Sequence, residues 1–241
     1  MKTYETYFYI QHSQFDRYGR FKVNAWSDLL QEAAAQHAAV LGVGMEHIYT
    51  ENLCWILARV KFTVSGNPVP GEKVRVFTYP SGSKRLFATR EFQIFDPNGN
   101  ELLRGSSRWM MLDRSTGKPV SLNLISDILP DNSALPQFFD FSDKLPQMEN
   151  FDRQLAIPVR HTMEDVNEHL NNAEYVAAAQ DVLFADGKRY NITGADIAYH
   201  LPLRAPDILN MGIVINGKTV NFTGTNQENK HSVSGNFTLA D

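Results

Sequence analysis

The sequence predicts an α+β protein in which one unit occurs twice: a strand, a loop, a long helix, then several antiparallel strands. Two observations predict it. A strand-like segment, a polar loop and a helical run recur in one register, with Asp16 to Asp165 and Trp26 to Tyr175 both spaced by 149 positions (165 − 16 and 175 − 26). After each helical run come alternating apolar segments separated by turn residues, the pattern of antiparallel strands. A curved sheet wrapped around one central helix satisfies that order twice over, with each helix as the core of its repeat.

The elements follow in sequence. Tyr4 to His12 alternates as a strand and leads to a loop with Asp16 and Gly19. From Ala25 to Leu41 the apolar residues Trp26, Leu29, Leu30, Ala33, Ala34, His37 and Val40 recur at helical spacing, with Asn24 as the expected N-cap and Gly42 closing the end. This helix is apolar on more than one face, as a central helix must be. Strands are expected at Trp55–Val64, Lys73–Tyr79, Leu86–Phe95 and Leu102–Leu112, with Asp96-Pro97-Asn98-Gly99-Asn100 turning between the last two. Residues 114–150 carry Pro119, Pro130, Pro136 and Pro146 and read as a linker with little regular structure. The second repeat, 151–241, offers a strand at Leu155–His161 and a helix over Ala173–Phe184. Its later strands are expected at Asp196–Pro202, Ile208–Ile215, Thr219–Thr225 and His231–Leu239, with Asn216-Gly217 as a hairpin turn. Residues 1–113 form the first repeat.

Composition narrows the function. A net charge of −4 argues against a nucleic-acid partner, which draws a basic excess. The single cysteine, Cys54, forms no intrachain disulfide and fits a reducing compartment, so the cytoplasm is expected. It lies in the apolar run Leu53–Leu57 and reads as a buried, inert thiol. No apolar run approaches the ~18 residues that span a bilayer, and the N-terminus has no signal-peptide core. Gly42-x-Gly44 ends a helix and is no phosphate loop.

The segment that carries chemistry runs from Glu164 to Tyr175. Asp165, Asn167 and His169 fall at spacing two, which in an extended segment puts all three side chains on one side. Asn172 then stands as a helix N-cap. Acid–base groups beside the free N–H donors of a helix start suit attack of water on a polarised carbonyl. The plain alternative is a polar turn, with Asp165 in an Asx-turn and Asn171 or Asn172 capping.

Several segments together resemble the acyl-[acyl carrier protein] thioesterases, a family built as a double hotdog. In the first half these are Gln31–Ala38, Leu41-Gly42-Val43-Gly44, Trp55–Arg59, Pro70-Gly71-Glu72, Arg85-Leu86-Phe87, Arg90-Glu91-Phe92 and Arg108-Trp109. In the second half they are Asp165-x-Asn167-x-His169-x-Asn171-Asn172-x-x-Tyr175. The resemblance implies hydrolysis of a fatty acyl thioester, with release of the free acid from its carrier protein and no cofactor or metal. It makes Asp165, Asn167 and His169 the catalytic residues, His169 being the natural general base at neutral pH and Asp165 the alternative. It gives the oxyanion to the backbone N–H groups of Leu170, Asn171 and Asn172, and substrate binding to Trp55 and Tyr175. The family also places an acidic residue or cysteine on the next strand, where this chain has Pro202 and Leu203, neither of which accepts a proton.

The first repeat has Asp16, Tyr18 and Arg20 at the positions of Asp165, Asn167 and His169, so one working site per chain is expected. His37 and His200 read as structural. Arg17, Arg20, Lys22, Lys84, Arg85, Lys188 and Arg189 are candidates for a basic rim that steers an acidic carrier protein. Coenzyme A as the carrier remains open, as does a non-catalytic acyl-thioester binding module, and a homodimer is compatible with the sequence.

Overall fold

A computed structural model of the chain describes residues 2–240. It divides into two compact units. The first comprises residues 1–14 and 28–140, the second 15–27 and 141–241. The division falls at Asp140/Phe141, inside the stretch read as a linker, and it assigns the loop and helix start at 15–27 to the second unit.

In the first unit the strands are β1 (Tyr4–Tyr9), β2 (Leu53–Val64), β3 (Lys73–Lys84), β4 (Phe87–Phe95), β5 (Glu101–Asp113) and the short β6 (Pro119–Val120). They lie in the order β1-β3-β4-β5-β2, every pair antiparallel, with β6 beside β5. In the second unit β7 (Arg153–Pro158), β8 (Ile192–Tyr199), β9 (Ile208–Asn216), β10 (Thr219–Thr225) and β11 (His231–Leu239) lie in the order β7-β9-β10-β11-β8, again antiparallel. Strand for strand the two orders are the same. β1 and β7 are offset by 149 residues, and so are the starts of the long helices α1 (Val23–Val40) and α3 (Asn172–Phe184). This is the expected α+β double hotdog.

Each long helix is buried along most of its surface. In α1, Ala33 and His37 are fully buried, and Trp26, Leu29 and Leu30 nearly so. In α3, Val176, Ala179, Val182 and Leu183 are fully buried, and the helix packs against β7 and β9. Facing apolar positions of β9, β10 and β11, among them Met211, Ile213, Phe222 and Phe237, complete that core, with the two phenylalanine rings 4.9 Å apart. Burying a side chain of this size contributes roughly 1.5–3 kcal/mol.

Local details depart from the expectations. α1 begins at Val23, so Asn24 lies inside it and is no N-cap. Its end is as read: Gly42 adopts φ +76°, a left-handed turn that favours glycine. Gly44 is needed for close approach, since a Cβ there would meet the Ala39 backbone at 2.7 Å. A short helix α2 (Met45–Ile48) follows, which the sequence did not announce. The proline-rich stretch is less loose than expected: beyond β6, Leu122 and Ile125 are buried with Val43, Ile48, Ala88 and Met111. Further on, Phe138 N–H donates to the buried Glu91 carboxylate at 3.0 Å and Phe139 N–H to the Ser106 hydroxyl at 3.1 Å.

Candidate active site

The segment between β7 and α3 is a turn, and the expected extended alternation of Asp165, Asn167 and His169 is corrected. Glu168 takes φ +59°, which breaks any strand through it. The turn is held by Asp165, whose Oδ1 accepts the N–H of Asn167 at 2.8 Å and that of His169 at 3.4 Å. Asp165 N–H donates to the His169 carbonyl at 2.7 Å. An Asx-turn therefore brings the three residues together. Among the described residues, the second carboxylate oxygen of Asp165 accepts only a long 3.4 Å bond from the Asn167 amide.

The helix begins one residue earlier than expected. Asn171, not Asn172, is the N-cap, its side-chain oxygen accepting the Ala173 N–H at 2.9 Å. The oxyanion assignment is corrected at Leu170 and Asn171. Leu170 N–H donates to the Leu203 carbonyl at 2.7 Å and Asn171 N–H to the Met163 carbonyl at 2.9 Å, so neither is available to a substrate. Asn172 opens the helix, and its carbonyl accepts the Tyr199 hydroxyl at 3.2 Å.

Tyr175 is also reassigned. It is buried, 3% exposed, and its hydroxyl accepts the N–H of the fully buried Leu203 at 3.0 Å. Burial pushes its pKa well above the usual tyrosine value. It anchors the segment after β8 rather than offering a surface to substrate. Trp55, in the first unit, packs against the cluster around Met111 and Leu122 and donates its indole N–H to the Val43 carbonyl at 2.8 Å.

The segment after β8 supplies what sequence reasoning missed. Pro202 is exposed and Leu203 buried. The next residue, Arg204, directs its guanidinium to His169 Nε2 at 2.8 Å. Glu164 ties the two segments, accepting the Ala205 N–H at 2.8 Å and pairing with His161 Nδ1 at 3.0 Å. Burial and the Arg204 charge hold the His169 pKa below the usual histidine range, against the opposing pull of Asp165, Glu168 and Glu164. His169 is thus neutral at pH 7, with one nitrogen occupied by a cation. A contact between residues 35 positions apart leaves no spacing signal; the one hint was a cation next to a strand end lacking its carboxylate.

The first-repeat loop has the same turn with different side chains. Asp16 Oδ1 accepts the N–H groups of Tyr18 and Arg20 at 2.8 and 2.9 Å. Tyr18 has the guanidinium carbons of Arg17 and Arg189 5.4 and 5.5 Å from its ring centre. The Arg20 guanidinium donates to the Tyr190 carbonyl. This loop and α3 border a cleft of about 530 Å³, lined by Lys22, Gln180 and Phe184 among others. Of the seven rim candidates, Arg17, Arg20, Lys22, Lys188 and Arg189 belong to the second unit, and Lys84 and Arg85 to the first.

The remaining candidates, His37, His200 and Cys54, make other contacts. His37 is fully buried, stacked 5.2 Å from Tyr4, with Nδ1 2.9 Å from the buried Arg90, whose pKa burial lowers to about 10. His200 is exposed and bonded to Ser234 Oγ at 2.9 Å. Cys54 is half-buried, and burial pushes its thiol pKa up. Among the described residues no cluster of three or more His, Cys, Asp or Glu side chains is arranged to hold a metal, and no helix is long and apolar enough to cross a membrane.

A family model described as the acyl-ACP thioesterase N-terminal domain matches residues 1–128. The chloroplastic acyl-[acyl-carrier-protein] hydrolase FATB2 of Cuphea viscosissima is 30% identical over 167 residues, 61% of this chain and 39% of that protein. A chloroplastic palmitoyl-acyl carrier protein thioesterase of Arabidopsis thaliana is 29% identical over 165 residues, again 61% and 39%. The chain thus spans 39% of the length of these curated relatives. Among solved structures, an acyl-ACP thioesterase from Bacteroides thetaiotaomicron superposes with a TM-score of 0.87, covering 99% of this chain and 98% of that one at 20% identity. The 12:0-ACP thioesterase of Umbellularia californica gives 0.84, with 99% and 97% covered, also at 20% identity. At such identity the structural likeness carries the fold. By the match over residues 1–128, more than half of its length, the chain belongs to the acyl-ACP thioesterase family.

Proposed function

We propose that this chain hydrolyses fatty acyl thioesters of acyl carrier protein, releasing the free fatty acid that ends chain growth. The observation that carries the reading is the Asp165 turn. One carboxylate oxygen is fixed by two backbone N–H groups while the other has the Asn167 amide at 3.4 Å, and the carboxylate charge acts on the His169 imidazole. Asp165 takes a proton from water as the water oxygen bonds to the thioester carbon. The tetrahedral intermediate then expels the thiolate, the C–S bond breaks, and the proton held by Asp165 passes to sulfur. This makes Asp165 the base rather than His169, because the His169 Nε2 lone pair is engaged by Arg204. General-base help of this kind is worth roughly 10²–10⁴-fold. No cofactor enters these steps.

The carrier is read from the relatives' names and from the cations around Tyr18, which suit an acidic partner. Cys54, as the single cysteine, supports a reducing compartment, for which we propose the cytoplasm. The test is release of free fatty acid from a panel of acyl carrier protein substrates set beside their coenzyme A counterparts. Preference for the coenzyme A esters would replace the carrier assignment. A second reading, an acyl-thioester binding module, draws on Pro202 and Leu203, which bring no proton acceptor to the site. Tight acyl-ligand binding with no turnover on any thioester would select it.

A further inference from the structure

Resting on the thioesterase reading, we propose that Arg204 is a positioning residue that fixes His169 as a neutral imidazole with its proton on Nδ1. His169 then serves the reaction as a hydrogen-bond donor to the thioester carbonyl. A guanidinium has only donors, so at 2.8 Å from Arg204 the Nε2 of His169 must be the acceptor. The single proton of the neutral ring therefore sits on Nδ1. Among the described residues no acceptor is bonded to that nitrogen, and the ring is half-buried, so its N–H is presented to whatever occupies the site.

The arrangement is built rather than incidental. The Arg204 backbone N–H donates to Asp207 at 2.9 Å, and that of Ala205 to Glu164 at 2.8 Å. Leu203 is held from both sides, its N–H by Tyr175 and its carbonyl by the Leu170 N–H. The charged groups facing His169 are Arg204, Asp165, Glu168 and Glu164, and Arg204 is the cation that offsets the three carboxylates. With the N–H groups of Leu170 and Asn171 committed to the protein, an imidazole donor answers the need for a group on the developing oxyanion. Neutral imidazole is an established electrophile of this kind. In the step derived above, the negative charge that forms on the carbonyl oxygen is held by His169 Nδ1–H until the C–S bond breaks.

The experiment is side-chain ¹H–¹⁵N NMR of His169 in the substrate-free full chain, for wild type, Arg204→Gln and Arg204→Lys, with steady-state kinetics on the same proteins. Wild type at pH 7 should show protonated Nδ1 and bare Nε2. Arg204→Gln should titrate at higher pH than wild type, with Arg204→Lys between them. kcat in Arg204→Gln should fall roughly 10-fold with KM changed far less, the mark of an interaction made in the transition state. Its acid limb should move to higher pH. Because Arg204 is exposed, both variants should fold, and Arg204→Lys checks that charge rather than bulk is at work. A wild-type proton on Nε2, or a His169 titration unmoved in Arg204→Gln, overturns the proposal, as does an unchanged kcat. A wild-type chain that releases no acid while His169 keeps its Arg204-dependent tautomer overturns the thioesterase reading and the donor role with it. That failure is distinguished from failure of Arg204 by the NMR alone.

Discussion

Asp16 and Asp165 hold the same turn from positions 149 apart. Each accepts the N–H two residues on at 2.8 Å, and each closes its own N–H onto the carbonyl four residues on, at 2.8 and 2.7 Å. Only the second turn carries an amide and an imidazole. Replacing either aspartate by alanine should remove turn hydrogen bonds worth on the order of 1 kcal/mol each, lowering stability by similar amounts. Turnover should separate them: Asp165→Ala should lose roughly 10²–10⁴ in kcat and Asp16→Ala little. Equal kinetic losses at equal melting temperatures would mean two working sites.

Asp165→Asn is the cleaner probe of the base. An asparagine keeps the oxygen that accepts the Asn167 and His169 N–H groups but cannot take a proton from water. The melting temperature should stay near wild type while kcat falls by about 10²–10⁴. Normal turnover in this variant would remove Asp165 from the chemistry.

Stability should depend on pH through His169. Burial and Arg204 hold its pKa below the unfolded value of 6.5, so between the two values the unfolded chain binds more protons. Unfolding free energy therefore rises with pH across that window. The contribution of His169 is complete above about 6.5 and lost as pH falls through the folded pKa. Urea unfolding at a series of pH values should show a shallower acid decline in His169→Gln, and an identical slope would contradict the assignment.

Tyr175→Phe should act on stability before activity. It leaves the buried Leu203 N–H without its acceptor, at a cost of roughly 1–3 kcal/mol. Denaturant midpoints measure that loss directly. KM should change little, because the hydroxyl faces the protein; a large KM effect with unchanged stability would restore Tyr175 to the substrate.

The fold was legible because its signals are local and repeated. β10 and β11 run over the residues that alternation marks, and the 149-residue register holds from β1 and β7 through the starts of α1 and α3. α2 was not, since a four-residue helix has too few turns to show a period. In the site, the motif located the right loop but misread its shape, because a left-handed Glu168 is invisible to a pattern of alternating polarity. Two of the oxyanion donors, Leu170 and Asn171, were misassigned for a related reason. Whether a backbone N–H is free depends on carbonyls such as those of Met163 and Leu203, whose approach is set by tertiary structure.

The second unit includes Phe15–Ser27, with Phe21 packed edge-on against Trp26 at 4.5 Å and Arg20 donating to the Tyr190 carbonyl. A gene cut between its repeats would therefore not yield a self-sufficient second half: a polypeptide starting at Phe141 would lack part of its own wall. The same fact gives a structural use to a loop with no imidazole. With Tyr18 and Arg20 where the second loop has an amide and a histidine, that loop lends its side chains to the unit around it. Its aspartate closes the turn that places them.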